Sequence, residues 1–410
     1  MLHNNTVFKE LVERYPTWGE LEAYLESEEG GRFRVVDRKE DTCLIRYERG
    51  VSNMELPHSK WFRSVVWNTI ANRPICIAPP KTTAEPFALS GEWVCQEWLE
   101  GFMINAYKLA GDDTLYITSR SRLESSGRFY SAKTFRHMFV EAYTGWKIKA
   151  EEPVEWLIQG EAKNFPSPDS ALGETAVFVS FLVQHTEHRI VQPVQENRLW
   201  AIHKGTVYDD GRMLMEDSPS APPLTLWNQP TAYSIPEDTN VTSWIQKEIT
   251  VTPWTFQGFV VKDRQGNRWR FSSPTHLAVK SLRGNTPHSL ERFVQLYQQN
   301  LFHMYLQYYP EDTNLFTFHY ESMMRLIEWI HVQYVALHVR HACGISDIDK
   351  MFHPHLYSLH GQYITRLRAS GKKLTANDVY EYLHKQPWQR VAFLLQRTED
   401  TYLSLVRSET

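Results

Sequence analysis

The change of hydrophobic pattern at Pro274 constrains the fold of this chain more than any other feature. Before Pro274, short apolar runs alternate with turn residues, a pattern typical of antiparallel strands. After it, apolar residues recur at helical spacing through Leu290–Met304 and Met323–Leu337. The 410 residues are also too many for one small module. The sequence therefore predicts the α+β class: a mainly antiparallel α+β domain followed by an all-helical C-terminal domain.

Several shorter signals predict individual elements. Thr17 with Glu20 three residues later predicts a capped helix, and Thr375 with Asp378 predicts another. Alternating apolar residues on both sides of Asp37–Asp41 predict a hairpin. The Pro-, Ser- and Thr-rich composition of residues 214–242 predicts a long surface loop.

Charge and composition exclude some classes of protein. Lys and Arg number 44 against 48 Asp and Glu, so any contact with nucleic acid requires a local patch instead of bulk positive charge. No apolar run reaches the roughly 18–20 residues of a membrane span, and the N-terminus lacks the pattern of a secretory signal. The four cysteines form no CxxC pair, which predicts free buried thiols in a reducing compartment. We therefore expect a cytoplasmic protein without a membrane span.

Three segments carry a resemblance when they are taken in order. Gln96–Asn105 contains Glu-Gly, Phe178–Val191 ends in Arg-Ile-Val, and Phe256–Val261 contains Gln-Gly-Phe-Val. They resemble the Lys-x-Asp-Gly, Asn-Arg-Ile-Val and Glu-Gly-Phe/Tyr-Val motifs of the phage-type RNA ligases. These enzymes belong to the covalent nucleotidyltransferase superfamily, with DNA ligases and mRNA capping enzymes. Gly266–Ser272 stands where the family has Lys-x-Lys, and the resemblance covers roughly residues 60–285.

The resemblance implies a fold, a domain division and a nucleotide site. Residues 61–285 would form a ligase-type nucleotidyltransferase domain to which an N-terminal helix and hairpin in residues 1–60 belong, and residues 286–410 a helical domain. Ligase-like proteins of large DNA viruses are similar to this chain, which adds the virion as a second expected location. The residues that the resemblance implies for nucleotide binding are Arg63, Arg120, Arg189 and Gly258.

The chemical positions of the family are changed in this chain. The reaction needs a lysine amine that attacks the α-phosphate of ATP, but Trp98 stands at that position, and an indole nitrogen cannot replace an amine. Glu100 replaces the Asp next to the retained Gly101. Ser180 and Gln257 replace two glutamates, and Gln257 lacks the charge that Mg²⁺ prefers. The two lysines that hold the α-phosphate become Arg270 and Ser272.

These changes predict a catalytically degenerate RNA ligase-like protein, with no catalytic residue, no metal site and no cofactor. Its role would be to bind nucleic acid or to serve as a structural protein. The alternative is an active ATP-dependent RNA ligase that forms a covalent enzyme–AMP intermediate with ATP and Mg²⁺. In that case the acting groups would be Lys81, Glu100, Arg189 and Gln257.

Other side chains suggest partners. Arg120, Arg128 and Arg136 alternate with aromatic residues, which is the composition of a single-stranded RNA groove and equally of a contact with other proteins of an assembly. The histidines and the cysteine of residues 338–355 could bind zinc. Because the zinc-finger spacing is absent, polar helix faces and loop caps are the favoured interpretation. We expect the basic stretch of residues 366–373 to be a solvated loop, with phosphate contact as the alternative.

Overall fold

The structure is a computed structural model, and it describes residues 2–84, 87, 89, 91–217 and 227–408. The chain divides into two compact units, Met1–Ala278 and Val279–Thr410. The sequence suggested a boundary after residue 285, whereas the division lies inside the helix that begins at Pro274. The first unit combines antiparallel sheets with helices, and the second is helical. The predicted α+β class with a helical C-terminal region is confirmed.

The described strands of the first unit form three sheets, and every strand pair within them is antiparallel. The strands are β1 (Leu2–Asn5), β2 (Arg34–Lys39), β3 (Thr42–Arg46), β4 (Val65–Asn68), β5 (Arg73–Ile77), β6 (Trp93–Glu97), β7 (Phe102–Leu109), β8 (Tyr116–Ser119), β9 (Glu174–Gln184), β10 (Arg198–Tyr208), β11 (Met213–Asp217), β12 (Ala232–Tyr233), β13 (Gly258–Asp263) and β14 (Arg268–Ser272). The six-stranded sheet has the order β1-β11-β10-β9-β7-β8. The two four-stranded sheets have the orders β2-β3-β4-β5 and β12-β6-β13-β14, and the latter is called the β13 sheet below.

The α-helices of the described residues include both capped helices predicted from the sequence. They are α1 (Val7–Arg14), α2 (Trp18–Glu26), α3 (Phe135–Thr144), α4 (Glu155–Glu161), α5 (Val241–Val251), α6 (Pro274–Arg283), α7 (Ser289–Gln298), α8 (Phe302–Tyr308), α9 (Thr313–Tyr334), α10 (His353–Gln362), α11 (Ala376–His384) and α12 (Trp388–Ser408). Thr17 and Thr375 each form the expected capping box, with Glu20 and Asp378. No helix in the described part of the chain is long and apolar enough to cross a bilayer.

Strand β9 shows how the six-stranded sheet is held. Phe178 packs into a core cluster with the N-terminal helices and β2–β5, while Val179 and Phe181 pack into a second cluster with α3 and α4. Successive side chains of a strand point to opposite faces, so a strand that is covered on both sides becomes a continuous apolar run. Leu182 belongs to a third, smaller cluster, which forms one wall of the site described below.

The predicted loop of residues 214–242 is wrong at both ends. Residues 213–217 form β11, which pairs with β1 and β10, and residues 232–233 form β12. Met213 and Met215 point inward and are fully buried. Because acidic residues follow them, the sequence pattern did not predict this short strand. Residues 218–226, the centre of the predicted loop, lie outside the described residues.

In the second unit, α9 packs against α7, α10, α11 and α12. The predicted helical stripes supply its core: Phe293 and Val294 on α7, and Met323, Leu326 and Ile330 on α9, are all buried. The first stripe is not one helix, because α7 ends at Gln298. Two π-helical segments, Val335–Val339 and Tyr363–Leu367, follow α9 and α10.

Candidate anion-binding pocket

A pocket of about 250 Å³ in the first unit is lined by residues of both the six-stranded sheet and the β13 sheet. Its apolar wall consists of Leu99, Met103, Leu182 and Ile202, and these side chains form one hydrophobic cluster. An apolar wall lowers the local dielectric constant, so charges in such a pocket interact more strongly than they do in water.

The rest of the lining is rich in positive charge. Among the described lining residues, six are cationic and one, Glu97, is a carboxylate. The cationic residues are Arg63, Lys81, Arg120, Lys262, Arg268 and Arg270. They come from four distant parts of the sequence, so the fold brings this charge together and no local charge run does.

The strand register of the β13 sheet places like charges side by side. Lys262 of β13 pairs directly with Arg268 of β14, and Val260 pairs with Arg270. Arg268 and Arg270 are two residues apart and therefore share a face of the strand. The β13 sheet therefore brings three of the lining cations close together.

Arg63 experiences the charge of its neighbours. Burial, followed by the guanidinium groups of Arg120 and Arg268, lowers its pKa to about 9. Arg63 therefore remains a cation at neutral pH, and an anion that enters the pocket would stabilise its charge. Its one described hydrogen bond is a long one, 3.5 Å from Nη1 to the carbonyl oxygen of Pro79. The Nε of Arg120 is buried and has no hydrogen-bond partner among the described residues.

Trp98, at the position of the family's nucleophile, lines this pocket. Its backbone N–H donates to the carbonyl oxygen of Gly258 (2.8 Å), so the first and third motifs lie side by side. Its ring centroid lies 6.0 Å from the Cζ of Arg270, within the range of a cation–π contact. Lys81 also lines the pocket, and its Nζ lies 5.1 Å from the ring centroid of Tyr47.

Glu97 is the carboxylate among the described residues that line the pocket. Burial raises its pKa, and a hydrogen bond with Thr231 opposes this shift. A carboxyl group with a raised pKa is a weaker ligand for a divalent cation, because the metal must compete with a proton. The residues at the family's two glutamate positions, Ser180 and Gln257, do not line the pocket. The described lining therefore does not fit a Mg²⁺ site.

Glu100 is turned into the protein and does not line the pocket. Its Oε1 accepts hydrogen bonds from the backbone N–H groups of Val191 (2.6 Å) and Gln192 (3.1 Å), and its Oε2 pairs with Nε2 of His276 (2.7 Å). Glu100 and His276 are both buried. Glu100 therefore joins the segment between β6 and β7 to the segment after β9 and to α6.

Two glycines of the motifs allow close packing. A Cβ on Gly101 would lie 2.4 Å from the carbonyl oxygen of Val183 in β9. Gly258 has φ +140°, and a Cβ there would lie 1.9 Å from the carbonyl oxygen of Phe271. Both positions require glycine for the packing of the fold, and this requirement is independent of any nucleotide.

The other residues of the motifs contact neighbouring parts of the protein and not the pocket. Ser180 is buried, with its Oγ 2.6 Å from Oδ1 of Asn105. Arg189 donates from Nε to the carbonyl oxygen of Val191 (2.9 Å) within its own loop. Gln257 is buried, and Ser272 pairs with Gly258. None of these side chains lines the pocket.

Of the three arginines predicted to bind RNA, Arg120 alone lines the pocket. Arg136 lies 3.5 Å from a carboxylate oxygen of Glu155, and Arg128 is exposed. The aromatic residues between them, Phe129, Tyr130 and Phe135, surround the ring of His188. These aromatic rings are therefore engaged with one another and do not form an open row of stacking surfaces.

These histidines of the second unit contact different partners. His338 stacks on His360 with ring centroids 4.0 Å apart, His353 bonds to the carbonyl oxygen of Ile348, and His355 bonds to the hydroxyl of Tyr382. The described residues contain no group of three or more His, Cys, Asp or Glu that could hold a metal ion. In the basic stretch, Arg366 pairs with Asp378 (3.1 Å) and is exposed.

No protein-family model and no curated protein matches the chain. The site must therefore be interpreted from its own residues. The sequence reasoning missed Lys262, Arg268 and Glu97. The alternation of Arg268 and Arg270 in a strand-like segment was the signal that could have identified Arg268, whereas Lys262 is placed opposite Arg268 by strand register.

Proposed function

We propose that this chain is a catalytically degenerate RNA ligase-like protein that binds a phosphorylated nucleotide, free or at the end of a single-stranded RNA, without forming a covalent intermediate. The observation that carries the proposal is the convergence of Arg63, Arg120 and Arg270 around Trp98 in one pocket. Guanidinium groups bind phosphate oxygens in pairs of parallel hydrogen bonds. An indole face stacks on nucleotide bases.

A ligase-type nucleotidyltransferase fold is part of this proposal. It is supported by two antiparallel sheets that both contribute to one pocket. It is also supported by the hydrogen bond from Trp98 to Gly258, which joins the segments that resemble the family's first and third motifs. The cytoplasm or a virion, and RNA or other proteins of an assembly as partners, belong to the same proposal.

The absence of catalysis is proposed from the residues at the chemical positions. Trp98 offers no amine, and the carboxylate of Glu100 accepts three hydrogen bonds inside the protein. Neither group can attack phosphorus or bind a metal at the pocket. The pocket then acts through charge and stacking alone.

One observation favours a second candidate, covalent adenylyl transfer: Lys81 lines the same pocket. In that reaction the neutral amine of Lys81 would form an N–P bond to the α-phosphorus of ATP. The bond from that phosphorus to the pyrophosphate oxygen would break, and pyrophosphate would leave with the electron pair. One proton would leave the ammonium group before the attack, and a second would leave the nitrogen after the N–P bond has formed, both passing to solvent.

The experiment that tests the proposal combines binding with labelling. Titration with ATP should quench tryptophan fluorescence and release heat, and Arg63→Gln and Arg120→Gln should each weaken binding about tenfold or more. Arg128→Gln, which removes an exposed arginine outside the pocket, is the matched control and should bind as the wild type does. Absence of ATP binding in the wild type would refute the proposal.

Incubation with α-labelled ATP and Mg²⁺, followed by denaturation, separates the two candidates. We expect no label on the chain. Acid-labile label that is lost in Lys81→Arg but retained in Lys60→Arg would establish the covalent reaction instead. Lys60 is a suitable control because its Nζ is engaged with Oδ1 of Asn267 (2.8 Å) and does not line the pocket.

A further inference from the structure

Three polar side chains of the second unit lie in a hydrogen-bonded row. The Oγ of Ser289 lies 3.5 Å from Nε2 of His319, and Nδ1 of the same imidazole lies 2.7 Å from Oε1 of Glu399. The three residues belong to α7, α9 and α12, so helix packing brings them together. A hydroxyl, an imidazole and a carboxylate in this order are the arrangement of a nucleophilic serine, its general base and the acid that orients the base.

The carboxylate determines which imidazole nitrogen carries the proton. An ionised carboxylate only accepts hydrogen bonds, so Nδ1 of His319 donates to Glu399 and Nε2 keeps its lone pair. That lone pair is on the nitrogen nearest to Ser289. His319 and Glu399 are both buried, and the ring of Phe293 lies beside the imidazole with its centroid 5.6 Å away. In such surroundings a carboxylate strongly stabilises the imidazolium that forms when Nε2 takes a proton.

The serine hydroxyl is at a helix end that a substrate can reach. Ser289 is half-buried and is the first residue of α7, and the preceding residue, His288, makes no capping hydrogen bond with its side chain. The first N–H groups of a helix have no acceptor within it, and donors of this kind stabilise an oxyanion that develops on a substrate carbonyl. The distance from Ser289 to His319 is long for a hydrogen bond, as is common for catalytic groups without a bound substrate.

The surroundings of the row favour an uncharged acyl group. Phe318 is half-buried, and its ring centroid lies 5.9 Å from that of His319. Leu315 stands one turn earlier than His319 on α9, on the same side of the helix, and is 42% exposed. A bond between His319 and Glu399 alone would join α9 to α12, so a hydroxyl at the remaining nitrogen of the imidazole is not needed for that contact.

We propose that Ser289, His319 and Glu399 form an active site that hydrolyses carboxylic esters with an apolar acyl group. The Oγ of Ser289 forms a bond to the carbonyl carbon, and its proton passes to Nε2 of His319. The bond from that carbon to the alkoxy oxygen breaks, and the alcohol leaves with the electron pair and takes the proton from Nε2. Water then attacks the acyl-serine and gives its proton to Nε2. The bond to Oγ breaks, Oγ recovers a proton from Nε2, and the carboxylic acid leaves. Glu399 acts through the imidazole and is a positioning residue.

The first test is labelling of the full chain with a fluorophosphonate, which phosphonylates an activated serine with loss of fluoride. Peptide mapping should show that Ser289 reacts at least about a hundredfold faster than Ser243, because an adjacent general base contributes roughly 10²–10⁴-fold. Ser243 is the matched control, since it is an exposed serine in the first turn of another helix, α5. Absence of label from Ser289 in the wild-type chain, or equal rates at the two serines, would overturn the proposal.

The second test is hydrolysis of p-nitrophenyl butyrate. Ser289→Ala removes the nucleophile at a half-buried position, and kcat/KM should fall about a hundredfold or more, whereas Ser243→Ala should leave it unchanged. Glu399→Gln should lower kcat by a similar factor and leave KM unchanged, because an amide carries no charge for the imidazolium or selects the wrong tautomer. A purely structural contact between α9 and α12 would instead affect urea unfolding and leave kcat of the folded variant unchanged.

The outcomes separate clearly. Wild-type turnover in Ser289→Ala, or in a Glu399→Gln variant that circular dichroism shows to be folded, would overturn the proposal. Labelling of the wild-type chain decides the matter where Glu399→Gln does not fold. None of these measurements involves ATP, so this activity and the proposed function of the first unit can each fail while the other stands.

Discussion

Removal of the Glu100 carboxylate should unfold the first unit more easily without acting on the chemistry of the pocket. In Glu100→Ala the backbone N–H groups of Val191 and Gln192 and the imidazole of His276 lose their acceptor. Each of these three donors that is left unsatisfied inside the protein costs about 1–3 kcal/mol. Because such terms are not additive, we expect the free energy of unfolding to fall by about 4 kcal/mol.

The conservative variant sharpens this prediction. Glu100→Gln keeps one oxygen that can accept from Val191 and Gln192, and it places an amide against His276. The Nδ1 of His276 is buried without a hydrogen-bond partner among the described residues. The imidazole can therefore carry its proton on Nδ1 and accept from the amide at Nε2. We expect a loss of only about 1 kcal/mol, so the order of stability is wild type, Gln variant, Ala variant.

The assay is urea unfolding followed by circular dichroism, with ATP titration at a temperature where each variant is folded. Glu97→Gln is the matched control, because it changes a glutamate that does line the pocket and should alter ATP affinity more than stability. A Glu100→Ala variant within about 1 kcal/mol of the wild type would refute the structural role. So would a Glu100→Gln variant that keeps full stability but loses ATP binding.

Three further perturbations test the fold and the pocket. Gly258→Ala places a Cβ 1.9 Å from the carbonyl oxygen of Phe271 at φ +140°. In urea unfolding, the free energy of unfolding should fall by more than about 3 kcal/mol. Gly160→Ala, with open space around its Cβ, is the control and should be neutral or slightly stabilising. Burial lowers the pKa of His58 below its ordinary value of 6.5, against its backbone hydrogen bond. The unfolded chain therefore binds a proton at His58 more readily than the folded chain, and the free energy of unfolding should fall as pH drops below 6.5. The difference in that free energy between pH 7.5 and pH 5.5 should be smaller in His58→Asn than in the wild type. Arg63→Met removes a cation from the cluster, so the melting temperature without ligand should be unchanged or higher, while ATP should raise it by less than in the wild type.

Features with local signals were predictable from the sequence. The boxes at Thr17 and Thr375 depend on residues three positions apart, and the hairpin of β2 and β3 depends on apolar runs separated by a short turn. Strands β1 and β11 carry little such signal. They pair at the edge of the six-stranded sheet, although they lie more than two hundred residues apart in the sequence. Single-sequence patterns do not contain that information.

The site was predictable in part, for a related reason. Motif order singled out Arg63, Trp98, Arg120 and Arg270, and all four line the pocket. The opposition of Lys262 and Arg268 depends on strand register, which pattern alone leaves open. The nucleotidyltransferase relationship itself stays a prediction.

The segment after β6 contains one position that the fold leaves open and two that it constrains. The described contribution of Trp98 to the fold is its backbone N–H, which bonds to Gly258, and every non-proline residue supplies that group. The side chain at this position faces the pocket and is free to change. Glu100 and Gly101 have no such freedom, because the first holds three buried donors and the second allows the approach of β9. Under the proposed relationship to RNA ligases, a lysine at position 98 could be replaced without cost to stability, whereas loss of Glu100 or Gly101 would destabilise the first unit.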